Sequence, residues 1–317
     1  MAPVLTGANG DPWAWRPPQP SRLDQLAGLL RLDGADTRRF LHGQTSQAIE
    51  AAAPGRWLAG CAITATARLR ALVEVLVDDT GAWLLIHGAD PEPVRAALDR
   101  VLFPADQVRL GPLESVRLLR PVEEASPVAG PGTPPPSWQP LDGEQGLAMG
   151  SWLVLRANAA VPAAMAARPP LPAAAAELWR LQRGEPQAPG EINDTTNPFE
   201  VGLADRVSLS KGCYVGQETL AKLATYNGVH RQLRRCWQVD PGAAAPQPGD
   251  QLQDSTGERA GVITSGLALP QGGWVGLALV RRQALANPSL MLAEGGSLQL
   301  SIPTAFVAPP VGPGGGA

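Results

Sequence analysis

Residues 211–218 read Lys-Gly-Cys-Tyr-Val-Gly-Gln-Glu, and the reading of the chain turns on this octapeptide. Gly212 and Gly216 bracket a cysteine and a tyrosine, and glycine takes backbone angles closed to other residues. Behind Gly216 runs Gln217-Glu218-Thr219-Leu220-Ala221-Lys222-Leu223-Ala224, a good helix-forming stretch. Cys213 is therefore expected on a tight turn just before a helix. The amides and partial positive charge of a helix start favour a thiolate there. Lys211 pushes the same way, and Glu218 opposes it. Two readings stand side by side: a functional thiol, or a glycine turn around a small buried cysteine.

Composition sets the frame. With 317 residues, two domains are the natural expectation. Hydrophobic residues make up 44%, enough for a sizeable core, while 35 Gly and 33 Pro point to a loop-rich chain with some disorder. A net charge of -3 carries no overall electrostatic footprint for nucleic acid; His230, Arg231, Arg234 and Arg235 crowd one segment but read as a solvated strand edge. The three cysteines (Cys61, Cys213 and Cys236) are far apart and odd in number, which is no disulfide framework and fits a reducing compartment. His42, His87 and His230 have no metal-ligand spacing, so no protein-built metal site is expected. No apolar run reaches the ~18 residues of a membrane span. No basic and apolar leader is visible at the start. A cytoplasmic protein is expected.

The pattern along the chain predicts a loose tail over 1–21, then strands over 26–32, 57–66, 69–77 and 82–87, with Asp78-Asp79-Thr80-Gly81 as a turn. Helices are predicted over 34–44, with Asp33 or Asp36 at its start, and over 91–103. Short strands follow at 108–110 and 114–119. Residues 121–140 hold seven prolines and read as a surface loop. A strand over 147–156 and a helix over 173–183 come next. Beyond 229 the spacing of short strands (234–239, 260–267 and 274–280) and Gly/Pro turns suggests a small β-barrel or sandwich. The alternation implies an α+β fold with antiparallel sheet and helices on one face. The expected domains are 22–228 and 229–307, with 308–317 a disordered tail.

Several segments, in order, resemble the YgfZ family, folate-binding proteins related to the glycine-cleavage T protein (aminomethyltransferase). The 211–218 block, continued by Gly228 and Arg231, is the most specific. Leu32-Asp33-Gly34-Ala35-Asp36 through Phe40-Leu41-His42-Gly43-Gln44 is similar to the family's opening block, although Ala48 stands near the place of a usual acidic residue. Thr66-Ala67-Arg68 resembles a strand start in which Ala67 replaces the usual glycine. Pro198-Phe199-Glu200-Val201-Gly202-Leu203 is similar to an element shared with the T protein. The stretches from Gly261 and from Gly276 resemble its barrel domain. The resemblance implies a T-protein-like folate-binding region of mixed α/β units followed by a C-terminal β-barrel. It also implies tetrahydrofolate or a one-carbon derivative as cofactor. It further implies a role in iron–sulfur cluster assembly or repair, with iron–sulfur assembly or client proteins as partners and an indirect effect on tRNA modification.

A folate pocket needs a flat slot, a carboxylate or amide for the pterin edge, and a cation for the glutamate tail. Glu200 is the candidate for the pterin, and Arg68 and Lys222 are candidates for the tail. Asn193 and Asp194 read as an Asx turn. Lys211 and Gln217 are expected to shape the turn around Cys213, with Gly212, Tyr214, Gly216 and Glu218 as its motif residues. Trp57, Trp83, Trp152, Trp179, Trp237 and Trp274 read as core. His42 reads as a satisfied histidine. In the T protein, aminomethyl transfer depends on an aspartate just after the strand start; residues 67–72 here hold no carboxylate, Glu74 being the nearest downstream. This counts against glycine cleavage and leaves folate binding open. The alternatives are a folate-dependent aminomethyltransferase or demethylase, and a scaffold of the same fold that has lost folate.

Overall fold

The computed structural model describes residues 5, 7, 10–122, 136–238, 244–293 and 295–311. Two compact units emerge from it. One is built from 17–171 and 206–217, the other from the described parts of 1–16, 172–205 and 218–317.

The first unit is a sheet with helices. Its elements are β1 (Ser21–Asp33), α1 (Thr37–Gln44), β2 (Trp57–Ile63), β3 (Leu69–Val77), β4 (Gly81–His87), α2 (Glu92–Arg100), β5 (Arg109–Val122), β6 (Trp138–Pro140), β7 (Gly146–Met149), β8 (Trp152–Arg156) and the short α3 (Ala163–Ala166). The eight strands run in the order β2-β3-β4-β1-β5-β8-β7-β6. β3 and β4 read as near-continuous apolar runs because both their faces are covered. On one face Phe40 and Leu41 of α1 and Val94 and Leu98 of α2 pack onto Val73, Val75, Leu84 and Ile86. On the other, Leu29, Leu76 and Leu85 share a cluster with Leu118, Leu147, Met149 and Val154. Strands so far apart in the sheet order meet only because the sheet curls, the larger-scale outcome of strand twist. Its edges draw close, with Trp57 N donating to Pro136 O at 3.0 Å and Trp138 N to Gly55 O at 3.1 Å.

The second unit holds α4 (Ala173–Arg183), α5 (Gln217–Thr225, whose first residue belongs with the sheet unit), β9 (Arg231–Gln238), β10 (Gln251–Gln253), β11 (Arg259–Ala268), β12 (Trp274–Arg281), β13 (Ser289–Leu292) and β14 (Ser297–Ser301). The strands close into a barrel in the order β10-β11-β12-β9-β14-β13. Cys236, Ile263, Trp274, Val280, Leu290 and Leu298 contribute to its core. This is the α+β arrangement with a small C-terminal barrel that the sequence suggests.

Several details differ from the sequence reading. The barrel's unit takes in more than 229–307, because α4 packs on β11 and β12 through a buried face that includes Leu178 and Leu181. The described part of the 1–21 tail is ordered. Asp11 Oδ1 accepts a hydrogen bond from Trp13 N at 2.9 Å and caps a 3-10 turn over Pro12–Ala14. Trp13 and Trp15 are buried, and Gln182 Nε2 donates to Pro12 O and Trp15 O, each at 3.1 Å. β1 already starts at Ser21. The stretches 109–110 and 114–119 belong to one strand, β5, which tolerates its central Gly-Pro through a register shift against β1. Residues 146–156 form the hairpin β7–β8, whose turn at 150–151 is set by Gly150 at φ 56°. Of the proline-rich stretch 121–140, its first two residues end β5 and 138–140 form β6; 123–135 lie outside the described residues. So does most of the tail 308–317, from 312 onward. No helix among the described residues is long and apolar enough to cross a membrane.

Candidate functional site

Segment 206–217 is laced to the end of α1. Ser46 Oγ donates to Arg206 O at 2.6 Å and accepts from Cys61 N at 2.8 Å, and Ser208 N donates to Ser46 O at 2.9 Å. Val215 N donates to Gly43 O at 3.0 Å. The central tie is Lys211. Its Nζ donates to Thr45 O at 2.7 Å, to Gln47 O at 2.8 Å and to His42 O. The ammonium also sits 4.2 Å from the centre of the Tyr214 ring. The last carbonyls of a helix have no partner within it, and here a lysine from far along the chain supplies the donor. Lys211 is buried. Burial pulls its pKa down to about 7, and three carbonyl acceptors and an aromatic face oppose that pull by favouring the ammonium.

The two glycines of the octapeptide differ in role. Gly216 is buried at φ 81°, and a Cβ there would lie 2.7 Å from Thr64 O and 2.9 Å from Ile63 Cδ1. Glycine is required there. Gly212 is not left-handed, and a Cβ there would meet nothing within 4 Å, so the expectation that it serves the turn through its backbone freedom does not hold. Gly216→Ala is expected to cost about 2–3 kcal/mol from strain and overlap, and Gly212→Ala less than about 1 kcal/mol in either direction. Urea denaturation of both variants checks this, and equal midpoints contradict it. Ala67, where the resembled family has glycine, takes the left-handed angle itself at φ 58° and touches the Gly216 turn.

Cys213 is exposed and free. It lies four positions before Gln217, the first residue of α5, and among the described residues its sulfur takes no hydrogen bond. The helix start therefore does not cradle the thiol as the sequence suggests; the chain needs Val215 and Gly216 to cross the 64–67 turn before the helix begins. Gln217 Nε2 donates to Lys211 O at 3.4 Å, closing the loop across its base. Tyr214 is buried, its hydroxyl has no partner among the described residues, and burial, then nearby Cys61, raises its pKa to about 12. Glu218 is exposed and pairs with Lys222 at 2.6 Å along α5.

Several residues expected to hold folate are already engaged. Glu200 is buried; Arg231 Nε donates to its Oε1 at 2.9 Å, and Arg231 Nη2 and Asn197 N each donate to its Oε2 at 3.1 Å. It presents no free edge to a pterin, because the loop at 197–200 needs the carboxylate for its own amide. Lys222, bound to Glu218, belongs with Glu200 to the barrel unit, whereas Arg68 belongs to the sheet unit. Arg68 N donates to Thr64 Oγ1 at 3.0 Å, closing the β2–β3 turn. Asn193 forms the expected Asx turn, accepting from Thr195 N at 2.9 Å. His42 is satisfied: its Nδ1 accepts from Glu50 N at 3.1 Å.

Glu74 is a site residue whose setting the sequence hides. It is fully buried on β3. Oε1 accepts from Arg206 Nη1 at 2.9 Å and is 3.1 Å from His87 Nε2, while Oε2 accepts from Trp57 Nε1 at 2.7 Å. Burial alone would raise its pKa; Arg206, His87 and Trp57 outweigh it and hold the carboxyl at about 2. Burial also keeps the His87 pKa low despite Glu74. Both oxygens are engaged, and through Arg206 the carboxylate braces 206–217 against the sheet. Among the described residues no cluster of His, Cys, Asp and Glu is arranged to hold a metal ion.

The comparisons with known proteins agree with this architecture. The chain is 26% identical over 296 residues to a putative chloroplastic transferase of Arabidopsis thaliana, covering 81% of this chain and 64% of that protein. It is 30% identical over 135 residues to an aminomethyltransferase of Staphylococcus saprophyticus, covering 42% of this chain and 34% of that one. It is 32% identical over 100 residues to the tRNA-modifying protein YgfZ of Pectobacterium atrosepticum, covering 30% and 29%. The matches thus span less than two thirds of these relatives' lengths. The crystal structure of the glycine cleavage system aminomethyltransferase T from Bartonella henselae superposes with a TM-score of 0.67 at 18% identity, covering 92% of this chain and 87% of that one. No family model matches. The curled sheet with its two helices and the closed six-stranded barrel define the T-protein type of fold. In sequence the chain is similar to YgfZ proteins and to an aminomethyltransferase, and its fold is of the T-protein type.

Proposed function

We propose that this protein is a folate-binding accessory protein of the cytoplasm that supports iron–sulfur cluster assembly or repair, and through iron–sulfur enzymes tRNA modification. Tetrahydrofolate or a one-carbon derivative is its cofactor, and Cys213 is its working thiol. One observation carries the reading: the octapeptide loop is fixed to α1 through Lys211 while Cys213 is left exposed. A cysteine kept only for packing is normally buried, as Cys61 and Cys236 are. The T-protein-type fold and relatives named as tRNA-modifying proteins and aminomethyltransferase support the folate and tRNA-linked parts. The engagement of Glu74 and the lack of a carboxylate in 67–72 speak against aminomethyl transfer as the activity. Since Glu200 is committed to Arg231, its part in the proposal is to order the 197–200 loop, and Arg68 remains the proposed contact for the tail carboxylates.

Tetrahydrofolate is expected to bind with a dissociation constant in the micromolar range, about -8 kcal/mol, read by calorimetry. No binding at millimolar folate to folded protein would overturn the cofactor assignment and leave the scaffold reading. Turnover of a methylamine donor would favour the transferase reading instead.

A further inference from the structure

A cavity of about 320 Å³ opens in the sheet unit between the end of β2, α2 and the octapeptide loop. Its walls are Ile63, Val94, Ala97, Leu98, Val101 and Val215. Arg70 and Arg100 also line it, as does Gln44, and no carboxylate does. Among the described residues neither guanidinium has a hydrogen bond or ion pair, whereas those of Arg31, Arg39, Arg95, Arg117 and Arg156 of the same unit all pair with carboxylates. A volume of this size is at the small end of ligand sites, which are mostly apolar with a few polar groups that fix orientation. Two arginines lining an apolar hollow without a counter-charge select an anion, and guanidinium is the group best matched to carboxylate or phosphate oxygens.

We propose that this cavity is a binding site for a small amphipathic anion, its apolar body lodged among Val94, Leu98, Val101 and Val215 and its carboxylate or phosphate held at Arg70 and Arg100. The assignment does not rest on folate, since its test uses a ligand that carries no pterin. Val215 lies two residues from Cys213, and its N–H is bonded to Gly43 O at 3.0 Å. A ligand seated there touches the segment that carries the thiol and stiffens it.

The test compares octanoate with octan-1-ol on the full chain, followed by the methyl resonances of Val94, Val101 and Val215. Octanoate is expected to shift these methyls saturably and to bind at least tenfold more tightly than the alcohol. The double variant Arg70→Gln/Arg100→Gln should weaken octanoate at least tenfold and leave octanol unchanged. Arg100→Gln alone, on an exposed helix end, should weaken octanoate about threefold and keeps the test open if the double variant misfolds. Ala97→Phe, which fills the hollow, should remove both ligands' shifts. Equal binding of octanoate and octanol, undiminished octanoate binding in the arginine variants, or shifts centred on other methyls would each overturn the assignment.

Discussion

Lys211→Met is expected to lower the stability of the folded chain by roughly 3 kcal/mol or more, the largest loss among single substitutions in the octapeptide. Methionine keeps the length and apolar stem of lysine but donates nothing. Three carbonyls, that of Thr45 buried and those of His42 and Gln47 partly buried, then lose their common donor. Each unsatisfied buried acceptor costs about 1–3 kcal/mol, reduced here by whatever water can reach. The lost ammonium–ring contact with Tyr214 adds to this. Lys211→Arg should not rescue fully, since a planar fork cannot aim one nitrogen at three converging carbonyls. Urea denaturation measures the loss. A Lys211→Met midpoint within error of the wild type would show that the tie contributes nothing to the fold.

Glu74 gives the second large effect, and it carries a pH signature. Its folded pKa of about 2 lies below the ordinary 4.5, so the carboxylate's stabilising contribution is complete above pH 4.5 and drains away as pH falls toward 2. At about 1.4 kcal/mol per decade, the gap corresponds to roughly 3 kcal/mol. Glu74→Gln should cost about 3–5 kcal/mol at neutral pH, because the half-buried Arg206 loses the carboxylate that offsets its charge. The variant should also lose the acid-dependent part of the stability curve between pH 4.5 and 2. Stability measured against pH for both proteins decides it: parallel acid limbs would mean that another carboxylate governs acid unfolding.

The fold was legible where residues speak through local pattern. The apolar runs of β3 and β4, the helix over 173–183 and the turn at 78–81 all follow from neighbouring residues, as when Asp78 Oδ1 accepts from Thr80 N at 2.9 Å and Gly81 N at 2.8 Å. What escaped was set by distant partners. Lys211 reads as a cation that tunes Cys213, and nothing nearby in sequence says that its three acceptors are backbone carbonyls at the end of α1. Glu74 is one polar letter in Leu72-Val73-Glu74-Val75-Leu76, and its partners Trp57, His87 and Arg206 come from three separate segments. A buried carboxylate in a strand does signal a hidden cation, and that signal was available. Trp13 and Trp15 have no periodicity around them, yet Gln182 and Arg235, whose guanidinium lies 4.9 Å from the Trp13 ring centre, give them a place. The pterin assignment of Glu200 misled because the same carboxylate serves Asn197 N and Arg231, a local use that a motif resemblance does not reveal.

The working thiol is the centre of the account, and replacing it tests that centre most directly. Cys213 is exposed, so Cys213→Ser and Cys213→Ala should each fold with a melting temperature within about 1–2 °C of the wild type, as surface substitutions do. Both should fail to restore iron–sulfur enzyme activity to cells lacking this protein, while the wild-type chain restores it. Full restoration by both variants, at unchanged melting temperature, would contradict the account and reduce Cys213 to a surface residue of the loop.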